Sequence, residues 1–358
     1  MEANQELKKK PGVLLVGPGL NVKGGITTVL NSYLDSELAE KVEFGFVPTM
    51  EDGSKIKKLF VAIKGYFLFL KLVNEYDIVH IHMAAQASFT RKSLFVKQAY
   101  KKEKKIIIHQ HAGSFDSFFL KESSAKKQEK IKKIFSMAEK VIVLSEEWKD
   151  FFVQNEISSS EKTLVVHNGV KIATKKEKDY TNKNVMFLGR LDEKKGIYDL
   201  IKAIPQILKK CPDARFYFAG DGEMEKSKCL VEELGLKEYV YFEGWVAKEK
   251  REALFEKCSV FILPTYFEAM PMSVLEAMSF GLVTITTEVG GIPRIVENGE
   301  NGVYVTPGDV NEIAETTTKI LLDEEKKRIL GKNAVEKIKN DFSLDKTVRE
   351  IYDIYMSL

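Results

Sequence analysis

Short β-branched runs alternate with amphipathic stretches along most of this chain, and that alternation constrains the fold more than any other feature. Strand, crossover helix and strand in repetition is the pattern of a parallel sheet covered by helices on both faces. The runs form two series. The first is Val13–Val16, Val42–Val47, Ile78–His82, Lys105–Gln110, Val141–Leu144 and Leu164–Val166. The second is Val185–Gly189, Arg215–Ala219, Val240–Glu243, Val260–Leu263, Val283–Thr286 and Gly302–Val305. Each series predicts one doubly wound α/β sheet. Between them Ile172–Lys183 is polar, lysine-rich and aperiodic, so the domain junction is placed there, just after His167-Asn168-Gly169-Val170. A length of 358 residues holds two such domains, at roughly 100–200 residues each.

Composition excludes several classes. Hydrophobic residues at 44% and charged residues at 30% are ordinary for a globular protein. Cys211, Cys229 and Cys258 form no CxxC pair and no disulfide framework, which suits a reducing, cytoplasmic compartment. After Lys8, Lys9 and Lys10, the apolar run Val13–Val16 stops at Gly17-Pro18-Gly19, too short for a signal-peptide core or a membrane span. Residues 1–170 hold 26 Lys and Arg against 20 Asp and Glu, and the remainder 29 against 32, so a net +6 half is followed by a net −3 half. The two halves are expected to meet different partners. The positive charge is too diffuse for a nucleic-acid surface.

Three motifs carry candidate chemistry. The first strand runs into GPGLNVKGGITTVLNSYL, where Gly24 and Gly25 precede a helix predicted to begin near Ile26; glycines there let a ligand approach free backbone N–H groups. The spacing is not GxGxxG, so a nicotinamide cofactor is a poor fit. In GRLDEKKGIYDLIKAI, a strand ends at Gly189-Arg190 and a helix follows Gly196, which would place Arg190 and Lys195 at the carboxyl end of the strand. Two cations there could neutralise a diphosphate without a metal ion. In Phe267-Glu268-Ala269-Met270-Pro271-Met272-Ser273-Val274-Leu275-Glu276, Pro271 is expected to open a helix, with Glu276 inside it and Glu268 on the loop before. N–H groups of the stretch Ala269-Met270-Pro271-Met272-Ser273, near Met270 to Ser273 and with Pro271 itself offering none, would then face an anion, with a carboxylate on either side able to accept from paired hydroxyls.

These motifs follow one another as NGV (Asn168–Val170), GRLDEKKG, AGDGE (Ala219–Glu223), FEGW (Phe242–Trp245), Glu268-x7-Glu276 and EAMSFGLVTITTEVGGIPRIVENGENG up to Gly302. In that order they resemble the donor-binding domain of family 4 glycosyltransferases, which have the GT-B fold: two Rossmann-like domains facing a central cleft, acting with retention at the anomeric carbon. The resemblance implies that Arg190 and Lys195 hold the donor diphosphate, Glu276 the nucleotide ribose and Glu268 the donor sugar's hydroxyls. Asp221, Gly222, Glu223 and Trp245 would wall the uridine side. Arg294 departs from the family, whose members commonly carry an acidic residue after GG-x-P. The resemblance also implies that the last helix, capped by Ser343, returns to the first domain. The division expected is therefore 1–170 with 343–358 as the acceptor-binding domain and 171–342 as the donor-binding domain.

The first half is less diagnostic. His109 and His111 alternate in IIIHQHAGSF and so share a face; by the resemblance a histidine before a small residue lies next to the reactive carbon of the sugar, which favours His111. His80, His82 and His109 are read as core histidines, and His167 as structural. No Asp-x-Asp triplet is present, so the metal-chelating arrangement of the other major glycosyltransferase fold is missing and no metal is expected. Charge on the leaving nucleoside diphosphate would be absorbed by the cations and a helix tip. Lys55–Val73 mixes five lysines with apolar residues and is read as a basic amphipathic helix with Phe60, Tyr66, Phe67 and Phe69 at a membrane surface. A second basic run, Arg91–Lys105, holds seven Lys and Arg against one Glu.

Taken together, a UDP-linked hexose or N-acetylhexosamine donor, a saccharide or lipid-linked saccharide acceptor, and surface polysaccharide synthesis at the inner face of a bacterial membrane are expected, with partner glycosyltransferases possible. Two rival readings are a sugar-nucleotide epimerase on the same fold and a silent subunit that binds sugar nucleotide for a partner enzyme.

Overall fold

The computed structural model describes residues 10–173 and 177–358; Lys8, Lys9 and part of the predicted junction lie outside them. The first unit opens with β1 (Gly12–Gly17), α1 (Gly25–Leu34), α2 (Leu38–Lys41), β2 (Glu43–Pro48), α3 (Lys55–Leu72), β3 (Ile78–Met83) and α4 (Gln86–Lys101). It continues with β4 (Lys105–Gln110), α5 (Phe115–Leu120), α6 (Ala125–Ser136), β5 (Lys140–Val143), α7 (Glu146–Gln154) and β6 (Thr163–Val165). The second unit holds β7 (Asn184–Leu188), α8 (Ile197–Leu208), β8 (Arg215–Ala219), α9 (Met224–Glu233), β9 (Val240–Gly244), α10 (Lys248–Lys257) and β10 (Val260–Leu263). It ends with α11 (Met272–Ser279), β11 (Val283–Thr286), β12 (Gly302–Tyr304), α12 (Val310–Leu322) and α13 (Glu324–Asp341). The last helix, α14 (Leu344–Met356), belongs again to the first unit.

The two six-stranded sheets expected from the sequence are both present, and every pairing is parallel. Strand order is β2-β1-β3-β4-β5-β6 in one and β12-β11-β10-β7-β8-β9 in the other. In each, the chain leaves in opposite directions from a pair of neighbouring central strands, β1 and β3 or β7 and β10. Ligands of open α/β sheets bind beyond the carboxyl ends of such a pair. The boundaries between the two compact units fall after Gly169 and again after Ser343.

The first sheet buries both faces, and alternation along its strands sorts them. Leu14, Val16, Val79, Ile81, Ile106, Ile108, Val141 and Val143 pack with Phe95 of α4, Phe118 of α5 and Phe135 of α6 in one apolar cluster. On the opposite face, positions that would ordinarily be aliphatic are His80, His82 and His109, next to Tyr33 of α1 and Tyr355 of α14.

Helix α3 is held to β2 at Gly65, where a Cβ would stand 2.1 Å from the carbonyl oxygen of Pro48. The predicted aromatic surface is only half correct. Phe60 and Phe67 are exposed, whereas Phe69 is fully buried and Tyr66 packs edge-on against Phe95, because those two positions fall on the side of the helix turned to the core. The exposed apolar set is instead Ile56, Leu59, Phe60, Ile63 and Phe67, one continuous stripe at helical spacing. Among the described residues no helix is long and apolar enough to cross a membrane.

Candidate functional site

The donor-side residues singled out in the sequence collect at the carboxyl edge of the second sheet, on the loops that follow β7, β8 and β10. After β7, Asp192 caps a short turn by accepting from the Lys195 N–H at 3.1 Å. The turn closes on Gly196, whose φ of +71° is left-handed and whose Cβ, were there one, would lie 2.0 Å from the Pro264 carbonyl oxygen. Only glycine lets the start of α8 approach the end of β10 so closely. That approach carries Lys195 to Glu268, and the two form an ion pair through Nζ and Oε1. Arg190 stays exposed and pairs with Asp192 at 3.1 Å.

Glu268 is held by the loop after β11. Cβ atoms on Gly290 and Gly291 would each lie 1.7 Å from a carbonyl oxygen, those of Glu268 and Ala269, so backbone lies directly against backbone. Burial pushes the Glu268 carboxyl above the ordinary carboxylate range, while the Lys195 ammonium pulls it down. Pro271 caps α11 rather than being its first residue, one position earlier in the helix frame than predicted. The Val274 N–H donates to the Pro271 carbonyl at 3.1 Å, which leaves the N–H groups of Met272 and Ser273 at the open helix tip. Glu276 lies inside α11 and pairs with Arg251 of α10 at 3.1 Å. Burial raises its carboxyl too, and Arg251 opposes that shift.

The loop after β8 is strapped to the loop after β7. Leu191 N–H donates to Asp221 O at 2.6 Å and Glu223 N–H to Leu191 O at 2.7 Å. Gly222, at φ +119°, has no room for a Cβ beside Leu191 O, 2.7 Å away. Glu223 accepts from the Tyr198 hydroxyl, which together with Lys226 holds its carboxyl below the usual range. Trp245, after β9, is 52% exposed, and Arg294 is exposed on the turn after Gly291. A cavity of about 1060 Å³ elsewhere in this unit is lined by Lys178, Tyr180, Phe280 and Arg328 among others, and by none of these residues.

In the first unit Gly24 caps α1, which begins at Gly25 rather than Ile26, with open space around the Gly24 Cβ position. His111 lies one residue beyond β4. Its ring stacks on His109 at 4.1 Å, and its Nε2 lies 2.9 Å from Nδ1 of His82. Burial lowers His80 and His111 to about 3, with Lys92 adding to the effect at His111. Ring nitrogens of His80, His82 and His109 lie within 4.8 Å of one another, close enough to hold a metal ion. Of the three rings, His82 feels the positive charge of Lys92, and among the described residues no carboxylate acts on any of them, an arrangement that opposes a cation.

Sequence reasoning assigned Lys195 and Glu268 to different parts of a ligand, and the structure joins them. It missed Arg251, one charge among many in KEKREALFEK, and Lys92, whose signal was its place within an apolar helical stripe.

Comparison with known proteins agrees with the architecture. The family model described as glycosyl transferases group 1 matches residues 171–337, and that described as Glycosyltransferase Family 4 matches 28–174. A glycosyltransferase of Methanocaldococcus jannaschii, itself uncharacterized, is 30% identical over 174 residues, 48% of this chain and 44% of its own length. An Escherichia coli UDP-Gal:alpha-D-GlcNAc-diphosphoundecaprenol alpha-1,3-galactosyltransferase is 28% identical over 350 residues, 92% of this chain and 86% of the relative. Among solved structures, Anabaena HepE in complex with UDP and glucose superposes with a TM-score of 0.76 at 20% identity, covering 97% of this chain and all of that one. The matched segments run through both sheets and include Arg190, Lys195, Glu268 and Glu276, and the chain belongs to the family 4 glycosyltransferases, with the GT-B fold.

Proposed function

We propose that this glycosyltransferase moves a hexose or N-acetylhexosamine from a UDP-linked donor, bound by the second unit, to a saccharide or lipid-linked saccharide bound by the first, with retention and without a metal ion. The observation that carries this reading is the convergence of Lys195, Glu268 and the open tip of α11 at the strand pair where ligands of such sheets bind. Lys195, Arg190 and the N–H groups of Met272 and Ser273 take the diphosphate, and the growing charge on the leaving group is met by groups already oriented toward it. Glu276 accepts from the ribose hydroxyls and Glu268 from those of the sugar. Asp221, Gly222, Glu223 and Trp245 line the base, and Gly24 and Gly25 leave backbone open on the acceptor side, where His111 presents its imidazole. The E. coli relative uses a UDP-sugar and a lipid diphosphate acceptor, which supports both halves of the reading and a place in surface polysaccharide synthesis.

The stripe of Ile56, Leu59, Phe60, Ile63 and Phe67 would rest on the inner face of the membrane, with Lys57, Lys64 and Lys71 along one flank reaching anionic headgroups. Two measurements test the reading. Titration calorimetry with UDP should give binding that Glu276→Ala weakens by about tenfold or more, the value of a lost hydrogen bond to a charged group; equal binding by both proteins contradicts it. Flotation with anionic vesicles should recover the wild type and much less of a Phe60→Ser, Phe67→Ser variant, and recovery of neither removes the membrane contact.

A further inference from the structure

We propose that Lys92 and Arg91, on α4 over the carboxyl edge of the first sheet, form an anion site that takes a phosphate group carried by the acceptor. This deepens the acceptor half of the function above and rests on it.

The argument begins with α4. Its buried positions are Phe89, Lys92, Ser93, Phe95, Val96 and Ala99, so Lys92 occupies the stripe that packs on the sheet, and it is only 2% exposed. Neither Lys92 nor Arg91 makes a hydrogen bond or ion pair among the described residues, and the Arg91 Nε is buried without a partner. Buried charges in proteins are paired, because removing an ion from water without compensation is costly. Among the described residues none supplies a counter-charge, and the one charged neighbour acting on Lys92 is Arg91.

The surroundings supply further unmatched donors. Side chains of a helix lean toward its N-terminus, and α4 begins just past the end of β3, so the Lys92 stem runs toward the edge where β3 and β4 end. The ammonium is close enough to act on His82 and His111. At that edge the Gln110 amide uses its oxygen to accept from Ala112 N–H at 3.0 Å, while its Nε2 is buried without a partner. On the other face of the sheet the Nε2 of His82 is also buried and without a partner among the described residues. A lysine, an arginine and an amide NH₂, with no carboxylate of the described residues acting on either charge, are the complement of a multiply charged oxyanion. Burial brings Lys92 down to about 7, so an arriving phosphate both fixes its proton and satisfies its donors. Arg91, partly exposed, marks the side from which the group enters.

The probe is inorganic pyrophosphate, titrated calorimetrically into the full chain as wild type, Lys92→Met, Arg91→Gln and, as a control on the second unit, Lys195→Met. The expected result is binding that survives Lys195→Met, weakens by about tenfold or more in Lys92→Met and weakens less in Arg91→Gln. Affinity unchanged in both Lys92→Met and Arg91→Gln overturns the site. Since Lys92→Met could alter the fold, Arg91→Gln, at a partly exposed position, supplies the independent test. A second arm floats the protein with phosphatidylcholine vesicles with and without a polyprenyl phosphate. Lysine-dependent capture by the phosphate-bearing vesicles identifies a lipid-borne group; pyrophosphate binding without capture identifies a soluble phosphorylated saccharide. Loss of UDP binding with the pyrophosphate pattern intact would refute the donor assignment and leave this site standing.

Discussion

The Lys195–Glu268 pair leads to an expectation opposite to the usual effect of removing an active-site acid. The ammonium that would hold a diphosphate is engaged by a carboxylate of the chain itself, and the two side chains are 25% and 12% exposed. At an effective dielectric near 20, charges about 4 Å apart attract by roughly 4 kcal/mol, and hydrogen bonds to charged groups retain about 1.5–3 kcal/mol net of solvation. A diphosphate must recover Lys195 against part of that attraction while the Glu268 carboxylate repels it. Glu268→Gln removes both obstacles and keeps the side-chain volume. UDP should then bind more tightly by about 1–2 kcal/mol, roughly five- to thirtyfold, while Lys195→Met weakens UDP by a similar factor. A UDP-sugar should gain less than UDP, because the glutamine cannot accept from two sugar hydroxyls as a carboxylate does, and turnover should fall. Calorimetric titration of both variants with UDP and with a UDP-sugar measures all of these terms. If Glu268→Gln weakens UDP as much as Lys195→Met does, the two residues act as one binding unit and the competition argued here is wrong.

Three further outcomes follow from the same geometry. Arg251→Met leaves the Glu276 carboxylate, 15% exposed, without a counter-charge and should cost about 3–5 kcal/mol at pH near 8. Because the folded Glu276 carboxyl is raised above its usual 4.5, its contribution is present below that value and lost as pH rises through the folded one, so melting curves should show the deficit shrinking toward pH 4.5. Gly196→Ala forces a Cβ to within 2.0 Å of the Pro264 oxygen at a φ of +71° and should destabilise the second unit by about 3 kcal/mol or more, read by denaturant unfolding; a loss under about 1 kcal/mol would mean the turn relaxes freely. His80 and His111 stay neutral in the fold to about 3, whereas the unfolded chain protonates them near 6.5. The stability they confer is therefore complete above that pH and is lost on acidification at up to about 1.4 kcal/mol per pH unit for each ring; urea midpoints at neutral pH and near pH 5 would expose the difference.

Much of the fold was legible because its signals are contiguous. A β-branched run between turn residues states its own conformation, and all the predicted strands form in two parallel sheets. The donor-side motifs were readable for the same reason: Gly189–Gly196 and Glu268–Glu276 are each a strand end, a loop and a helix start in unbroken sequence. The meeting of Lys195 with Glu268 was not readable, since 73 positions separate them and only the adjacency of β7 and β10, a consequence of the winding order, brings their loops together. The histidines show the same division. Alternation placed His109 and His111 on one face, but the stack that joins them to His80 and His82 depends on the β3–β4 register, in which His82 lies opposite His109.

Lys92 occupies a middle ground. Within Arg91–Lys105 the composition is that of a solvated basic face, and the other lysines of α4, Lys97 and Lys101, are exposed. Helical phase separates Lys92 from them: it stands three residues after Phe89 and three or four before Phe95 and Val96, on the apolar stripe rather than beside it. A lysine in a stripe can extend its stem along the core and bring its ammonium out to water, and sequence offers no way to tell that from a lysine whose head stays inside. The distinction is made by the length of α4 beyond the end of β3. Nearly two turns of helix carry Lys92 back over the sheet, where its side chain is almost wholly buried and, among the described residues, the one charge acting on it is the like charge of Arg91. A phosphate group brought to that position would supply the counter-charge that the described residues around Lys92 do not.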